Sequence, residues 1–445
     1  MLLALDVNTI PLSSHQLPAD LLKLSHGDLE RRRRDIMKTP RFNISTVTAL
    51  AVGTLILIGS IAQAQLPKTF NRGRGSERDD LSLTNRVPKP HQGLARPAPE
   101  PSMPQAPPQV QYTVIDLGTD AIGNGITDSG RIVGSHNFGD VDRHPTVWPN
   151  IHSLPIDLGI LPDGIGGRGF GINLRGQMVG YDYTENFIRP LFWSSPQSGP
   201  IELPGLSGGD GIASDINPVG QIVGTFFDDS GFRPVFWSNS NAPAIYLPVS
   251  NDFPNGQAFS INAAGNIFGD ACTADFSECH VAFWADSMST PVALASPGGD
   301  FIITDVGLSS DFTVAHALND TGSTVGFAVN PATGETRAVF WASSSSPAMI
   351  LSTSDEFSNG TAEAINEKGQ IVGTAFNSDF SDPHAFFWPS PTSPGIDLNT
   401  VIPAGSGLEI AIARSINNRG EIAGAAYPNG QPPAHAVVLI PVPGR

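Results

Sequence analysis

Short runs of apolar residues alternate with polar turns along most of the chain, most clearly over residues 216–237, INPVGQIVGTFFDDSGFRPVFW. Asn217 and Gly220 stand where a type I turn takes Asn first and Gly fourth, and apolar, β-branched residues flank them on both sides, which predicts a tight hairpin. A third apolar run opens with Arg233 and reaches Trp237 four residues later. The whole pattern occurs seven times. Its turn recurs at Thr127 and Gly130, Asn173 and Gly176, Asn262 and Gly265, Asn319 and Gly322, Asn366 and Gly369, and Asn417 and Gly420. After each turn comes a short apolar strand closed by glycine, at Gly134, Gly180, Gly224, Gly269, Gly326, Gly373 and Gly424. The third run starts with His or Arg and ends on an aromatic, as in His144 to Trp148, Arg189 to Trp193, His280 to Trp284, Arg337 to Trp341 and His384 to Trp388. The seventh copy, His435 to Leu439, lacks the ring.

A fourth segment completes each unit: Val114-Ile115-Asp116-Leu117-Gly118, Ile156-Asp157-Leu158-Gly159, Ile201-Glu202-Leu203-Pro204, Ile245-Tyr246-Leu247-Pro248 and Ile396-Asp397-Leu398. Shorter traces stand at Val292-Ala293-Leu294 and Ile350-Leu351. The turn positions are 46, 44, 45, 57, 47 and 51 residues apart. Four strands at such a period mark propeller blades, because one small sheet cannot shield its own apolar side and neighbouring copies shield one another. The prediction is therefore an all-β domain over residues 112–441, a seven-bladed β-propeller of four-stranded antiparallel blades.

Antiparallel strands place the loops on two faces. The Asn-x-x-Gly turns share one face with the links that leave the tryptophan strand. The opposite face is expected to carry the longer, glycine-rich and acidic loops, and with them any binding surface. Pro145, Pro190 and Pro234 each remove a ladder donor, so the tryptophan strand is expected at a blade edge, with an outermost position satisfying this. A tryptophan wedged between blades removes about 150–250 Å² from water, roughly 4–6 kcal/mol at ~25 cal/mol/Å² before entropy. Packing alone thus explains its recurrence.

Composition divides the chain. Residues 1–111 hold 14 Lys and Arg against 9 Asp and Glu, whereas residues 112–445 hold 11 against 33. The acidic repeat region argues against nucleic acid or anionic lipid as a partner. Near the start, Lys38 and Arg41 precede an apolar run over residues 47–61, and Ala62-Gln63-Ala64 follows it. This reads as a signal peptide over residues 37–64, cleaved between Ala64 and Gln65, rather than a membrane anchor, because the run is short and interrupted by Thr48, Gly53, Thr54, Gly59 and Ser60. Signal peptides start near the initiator, so translation is expected to begin at Met37, with residues 1–36 a disordered extension outside the natural product. Residues 65–111 are rich in proline and poor in apolar side chains, which predicts a disordered linker. No membrane span is expected after cleavage.

The His or Arg that heads every tryptophan strand shares a face with its own aromatic, and a strand-end hydrogen bond or stacking explains it better than catalysis by seven equivalent groups. Cys272 and Cys279 bracket one hairpin loop; a disulfide is favoured, with metal ligation alongside His280 the alternative. The acidic loops offer Asp140, Asp142, Asp182, Asp228, Asp229, Asp275, Asp379 and Asp382 as candidate ligand-binding residues. Calcium takes such oxygen donors, but no D-x-[DN]-x-[DN]-G loop is present, and surface solubility is the stronger reading. No H-E-x-x-H or phosphate-loop motif occurs, and no catalytic residue is singled out.

The IN-x-x-G-x-I-V-G segment at residues 365–373 and the H-A-x-x-W segment at residues 384–388 resemble the HAF family of extracellular repeats. Residues 203–209, LPGLSGG, are similar to that family's linking segment, and the resemblance covers roughly residues 112–440. It implies a secreted or surface bacterial β protein of no established activity. Departures are Leu439 for the last tryptophan, Thr127 for the first Asn, and an insertion in the fifth repeat around Pro297 to Phe312. The functional expectation is a secreted, monomeric, non-catalytic recognition or scaffold module that binds an extracellular glycan or peptide through its acidic face. The alternative is a carbohydrate-active hydrolase or lyase with carboxylates converging on the central depression.

Overall fold

The computed structural model describes residues 110–139, 142–205, 210–228, 231–276, 278–300, 317–380 and 382–442. The expected extension, signal peptide with its Ala64–Gln65 cleavage site, and all but the last two residues of the linker lie outside the described residues, as does most of the fifth-repeat insertion. No described helix is long and apolar enough to cross a membrane.

The fold is a seven-bladed β-propeller of antiparallel sheets. Blade two shows the plan: an inner strand (Gly166–Ile172), a second strand (Met178–Tyr183), the tryptophan strand (Ile188–Trp193) and an outer strand (Ile201–Glu202). Blades one, three, four and six repeat it, and blade five shows the last three strands among the described residues. The tryptophan strand is thus third and not outermost. A two-residue outer strand covers only its middle, pairing Leu191 with Glu202 and Phe192 with Ile201. Pro190 still fits, because its carbonyl accepts from the Leu203 N–H on the outer side, so its missing donor points past the outer ladder.

The seventh blade is built from both ends of the described chain. Its inner strands Leu408–Ile416 and Ile422–Pro428 and the strand His435–Val442 are followed outward by Gln111–Thr119, which carries Asp116-Leu117-Gly118. The first Asp-Leu-Gly segment therefore completes the last blade. Asn417 Nδ2 bonds the Thr127 carbonyl at 3.0 Å, and the Ser415 hydroxyl accepts from the Ile126 N–H at 3.2 Å, linking blade seven to blade one.

All six tryptophans are 0% exposed and lie between blades, Trp193 for instance with Val133, Val147 and Leu158 of blade one. Leu439, where the seventh copy lacks its ring, is also buried, in a cluster with Tyr112 of the closing strand, whose ring meets Phe387 edge-on at 6.0 Å.

The recurrent glycine does not end its strand: in blade three the strand runs on from Gly224 to Asp228. It faces a bulge in the inner strand, where pairing slips between Ala213 and Asp215. A Cβ on Gly224 would stand 2.0 Å from the Ile212 carbonyl oxygen, and the same 1.9–2.0 Å clash recurs at Gly134, Gly180, Gly269, Gly373 and Gly424. The bulge brings the two backbones together, and only glycine fits.

The turn asparagines do more than turn the chain. Asn173 Nδ2 donates to the Asn217 carbonyl of the next blade at 3.0 Å, and Asn217 donates to Asn262, Asn262 to Asn319, Asn319 to Asn366 and Asn366 to Asn417 at 2.9–3.2 Å. With the bond from Asn417 to Thr127, this chain of side chains runs round the propeller and breaks only where Thr127 has no amide to donate. Around blades four to seven a second series runs beside it: Asp320, Glu367, Asn418 and Asp128 each accept from a backbone N–H of the preceding turn. The turn face is therefore knitted from blade to blade.

Candidate functional site

The opposite face carries the links from outer strand to next inner strand and the loops between second and tryptophan strands, as expected for the acidic face. The difference in loop length is smaller than the sequence suggests: the turn-face link 194–200 is longer than the loops 184–187 and 273–278 of the opposite face.

The candidate aspartates fall into different environments. Asp182 is not in a loop but at the penultimate position of the Met178–Tyr183 strand, with a side chain 0% exposed. It holds Arg189 through two oxygens at 2.8 Å and accepts the Leu161 N–H at 2.9 Å, which makes it a structural ion-pair partner. Arg189 reaches Asp163 as well, at 2.6 Å. Asp142 accepts the Tyr183 hydroxyl and the Arg143 N–H. Asp275 and Asp379 are exposed at loop tips. Asp228 is the last residue of its strand, opposite Gly231, and Asp140 and Asp229 lie outside the described residues. Cys272 and Cys279 stand directly opposite each other on neighbouring strands and form a disulfide, so neither is a thiolate ligand.

The cations at the heads of the tryptophan strands engage local partners. His144 Nδ1 meets Asp157 at 2.9 Å, His384 Nδ1 meets Asp397 at 2.7 Å and His435 Nδ1 meets Asp116 at 2.8 Å, each Asp belonging to the adjoining Asp-Leu segment. Arg233 lies over the Tyr246 ring at 5.7 Å, His280 pairs with Glu278 at 2.9 Å, and Arg337 pairs with Glu335. The bond to Asp397, assisted by the charges of Asp397, Asp382 and Glu409, raises the His384 pKa above its ordinary value against the opposing effect of burial.

Aromatic rings accompany the acids on this face, a feature that residue spacing did not disclose. Phe232 of blade three meets Phe227 at 5.1 Å and Phe276 of blade four at 5.3 Å, while Phe376 and Phe380 of blade six meet at 5.7 Å. Phe276 and Phe380 follow Asp275 and Asp379 in the same Asp-Phe-Ser sequence, and both hold positive φ, 57° and 61°. That backbone costs a side-chain-bearing residue about 1–2 kcal/mol. The repeated Asp-Phe-Ser triplets were the available signal in the sequence.

Two buried carboxylates of the inner strands behave as braces. Asp215 accepts from the Ser260 hydroxyl and the Ile261 N–H of the next blade at 3.0 Å, and burial pushes its pKa up against those bonds. Glu363 accepts from Thr361 at 2.8 Å and faces Arg414 of blade seven at 3.7 Å, and burial raises its pKa too. They belong to blades three and six. Among the described residues, the one group of three His or carboxylate side chains with donor atoms within 4.8 Å of one another is Asp382, His384 and Glu409.

No protein-family model matches the chain, and no curated protein matches it. Among solved structures the fold is similar to that of YCF48 bound to D1 peptide, at 9% identity over 76% of this chain and 98% of that one, with a TM-score of 0.44. It is also similar to a puromycin-hydrolyzing peptidase of Mycobacterium tuberculosis, at 14% identity over 75% of this chain and 55% of that one, with a TM-score of 0.45. An oligogalacturonate lyase in complex with manganese matches at 8% identity over 76% of this chain and 92% of that one, with a TM-score of 0.38. These likenesses concern the fold alone.

Proposed function

We propose that this protein is a non-catalytic recognition module of the HAF type, acting outside the cytoplasm and binding an extracellular glycan or peptide through the face opposite its Asn turns. The observation that carries this reading is the pair of loop tips Asp275-Phe276 and Asp379-Phe380. Each presents an exposed carboxylate beside a phenyl ring on a backbone that an unselected loop avoids. Rings stack on sugar or side-chain faces, and adjacent carboxylates accept from hydroxyl or ammonium groups. The inner-strand carboxylates Asp215 and Glu363 are already committed to bonds within the ring, which favours binding over a carboxylate-driven hydrolysis or elimination.

The test is a screen of the purified protein against glycans and peptides, with and without calcium, scored for retention and for turnover. Phe276→Ala and Phe380→Ala are each expected to weaken retention roughly three- to tenfold, from about 0.5–1.5 kcal/mol per stacked ring. Turnover of any glycan that survives both substitutions would replace this reading with the hydrolase or lyase one.

A further inference from the structure

We propose that Asp382, His384 and Glu409 form a site for one divalent transition ion of the Zn²⁺ or Mn²⁺ type at the seam between blades six and seven. Asp382 and His384 are two apart at the start of the Pro383–Trp388 strand and so share a side of it. Glu409 is the second residue of the inner strand of blade seven, which starts at the same face. The three side chains therefore come from two adjacent blades and meet where those blades pack together.

Geometry at the imidazole carries the assignment. Asp397 accepts from Nδ1 at 2.7 Å, which fixes the proton there and leaves the Nε2 lone pair pointing at the other two carboxylates. Nε2 stands 3.7 Å from Asp382 Oδ1 and 3.8 Å from Glu409 Oε1, too far for hydrogen bonds. Donors placed about 2.0–2.2 Å from a shared tetrahedral ion lie about 3.4 Å apart, so both distances to Nε2 suit an ion after a contraction of a few tenths of an ångström, and all three donor atoms lie within 4.8 Å of one another. A carboxylate on the remote nitrogen of a ligating histidine is the usual second partner at such sites.

Comparison between seams supplies an independent argument. The inner-strand residue that pairs three positions beyond the recurrent glycine is Asp210 in blade three and Asn359 in blade six. These ties are backbone ones: Asp210 accepts the Ile188 N–H at 3.0 Å and Asn359 the Thr336 N–H at 2.9 Å, each fastening its blade to the one before. Glu409 holds the same register opposite Tyr427, yet its carboxylate is turned to His384. At the seam of blades one and two, Asp142 and the His144–Asp157 pair recur, but Gly166 occupies the register of Glu409, and among the described residues no group of three donors forms there. Among the described residues, the complete donor set is thus particular to the seam where Glu replaces the tie.

An imidazole among the donors selects a borderline ion over Ca²⁺ or Mg²⁺, which take oxygen. The Asp382 side chain is 50% exposed, so coordination positions stay open to solvent or a ligand. The two cysteines are joined in a disulfide and offer no competing thiolate.

The experiment is calorimetric titration of chelator-treated, full-length protein with ZnCl₂, MnCl₂ or CaCl₂ alone, so it stands apart from the recognition reading. One Zn²⁺ or Mn²⁺ per chain is expected. Glu409→Gln and His384→Ala should weaken it at least tenfold, and Asp397→Asn about 10–100-fold. Melting in EDTA confirms that each variant is folded, and Co²⁺ absorption reports the mixed nitrogen and oxygen donors. Absence of a stoichiometric ion, affinity unchanged in folded Glu409→Gln and His384→Ala, or a preference for Ca²⁺ would each overturn the proposal.

Discussion

Asn217→Asp separates two roles of the turn asparagines. The Asn217 Oδ1 accepts the N–H groups of Val219, Gly220 and Gln221 at 3.2, 3.1 and 2.9 Å, and aspartate would keep all of these. The Nδ2 donates to Gln221 Oε1 at 2.7 Å and to the Asn262 carbonyl of the next blade at 3.0 Å, and aspartate would lose both. In their place it would set a carboxylate oxygen against two oxygens at a position 1% exposed. Two lost bonds at about 0.5–1.5 kcal/mol each, with repulsion and desolvation of an uncompensated charge added, sum to about 3 kcal/mol or more. Urea unfolding at pH 7, followed by fluorescence of the buried tryptophans, measures this as a shift in midpoint at unchanged slope. A variant within about 0.5 kcal/mol of the natural protein would refute the inter-blade role and leave Asn217 as a turn residue only.

The missing link can be supplied. Thr127→Asn together with Arg131→Gln, which matches the Asn173 and Gln177 pair, is expected to add on the order of 1 kcal/mol in the same urea assay. Gly224→Ala places a methyl 2.0 Å from the Ile212 oxygen, where the bulged strand cannot retreat without breaking its ladder; a loss above about 3 kcal/mol or failure to fold is expected, read by circular dichroism. Arg189→Ala leaves the buried Asp182 carboxylate without its cation, with an expected cost of about 3–5 kcal/mol by thermal or urea unfolding. Because the folded pKa of His384 is raised, its pairing contributes stability fully present below the unfolded value of about 6.5 and lost as pH rises through the folded one. Metal-free His384→Gln should flatten that part of the stability profile, and an unchanged profile would remove His384 as its source.

Much of the architecture was legible because each blade repeats a local code. Asn and Gly mark a turn, the fourth segment recurs at a near-constant period, and the tryptophan strand is apolar enough to be buried whatever surrounds it. Individual sites were less legible. Asp182 reads like the exposed acids around it, and only the approach of Arg189 and the Leu161 N–H makes it a buried brace. The recurrent glycine looked like a strand end because a bulge on the partner strand leaves no mark in its own neighbourhood. Asp275 and Asp379 are exposed tips as expected, but the strained phenyl beside each is a property of backbone dihedrals.

The sequence by itself determined the strand count, the turns and the seven-fold repetition and favoured the disulfide, since all of these depend on residues within one period of one another. Tertiary structure alone decided which strand closes the ring, pairing Asp116 with His435 across 319 residues, and that Asn417 reaches Thr127 across 290. It also decided that His384 and Glu409 share a seam. Those contacts follow from how one blade is set against the next, and apolar packing between sheets fixes that angle without leaving a periodic trace along the chain.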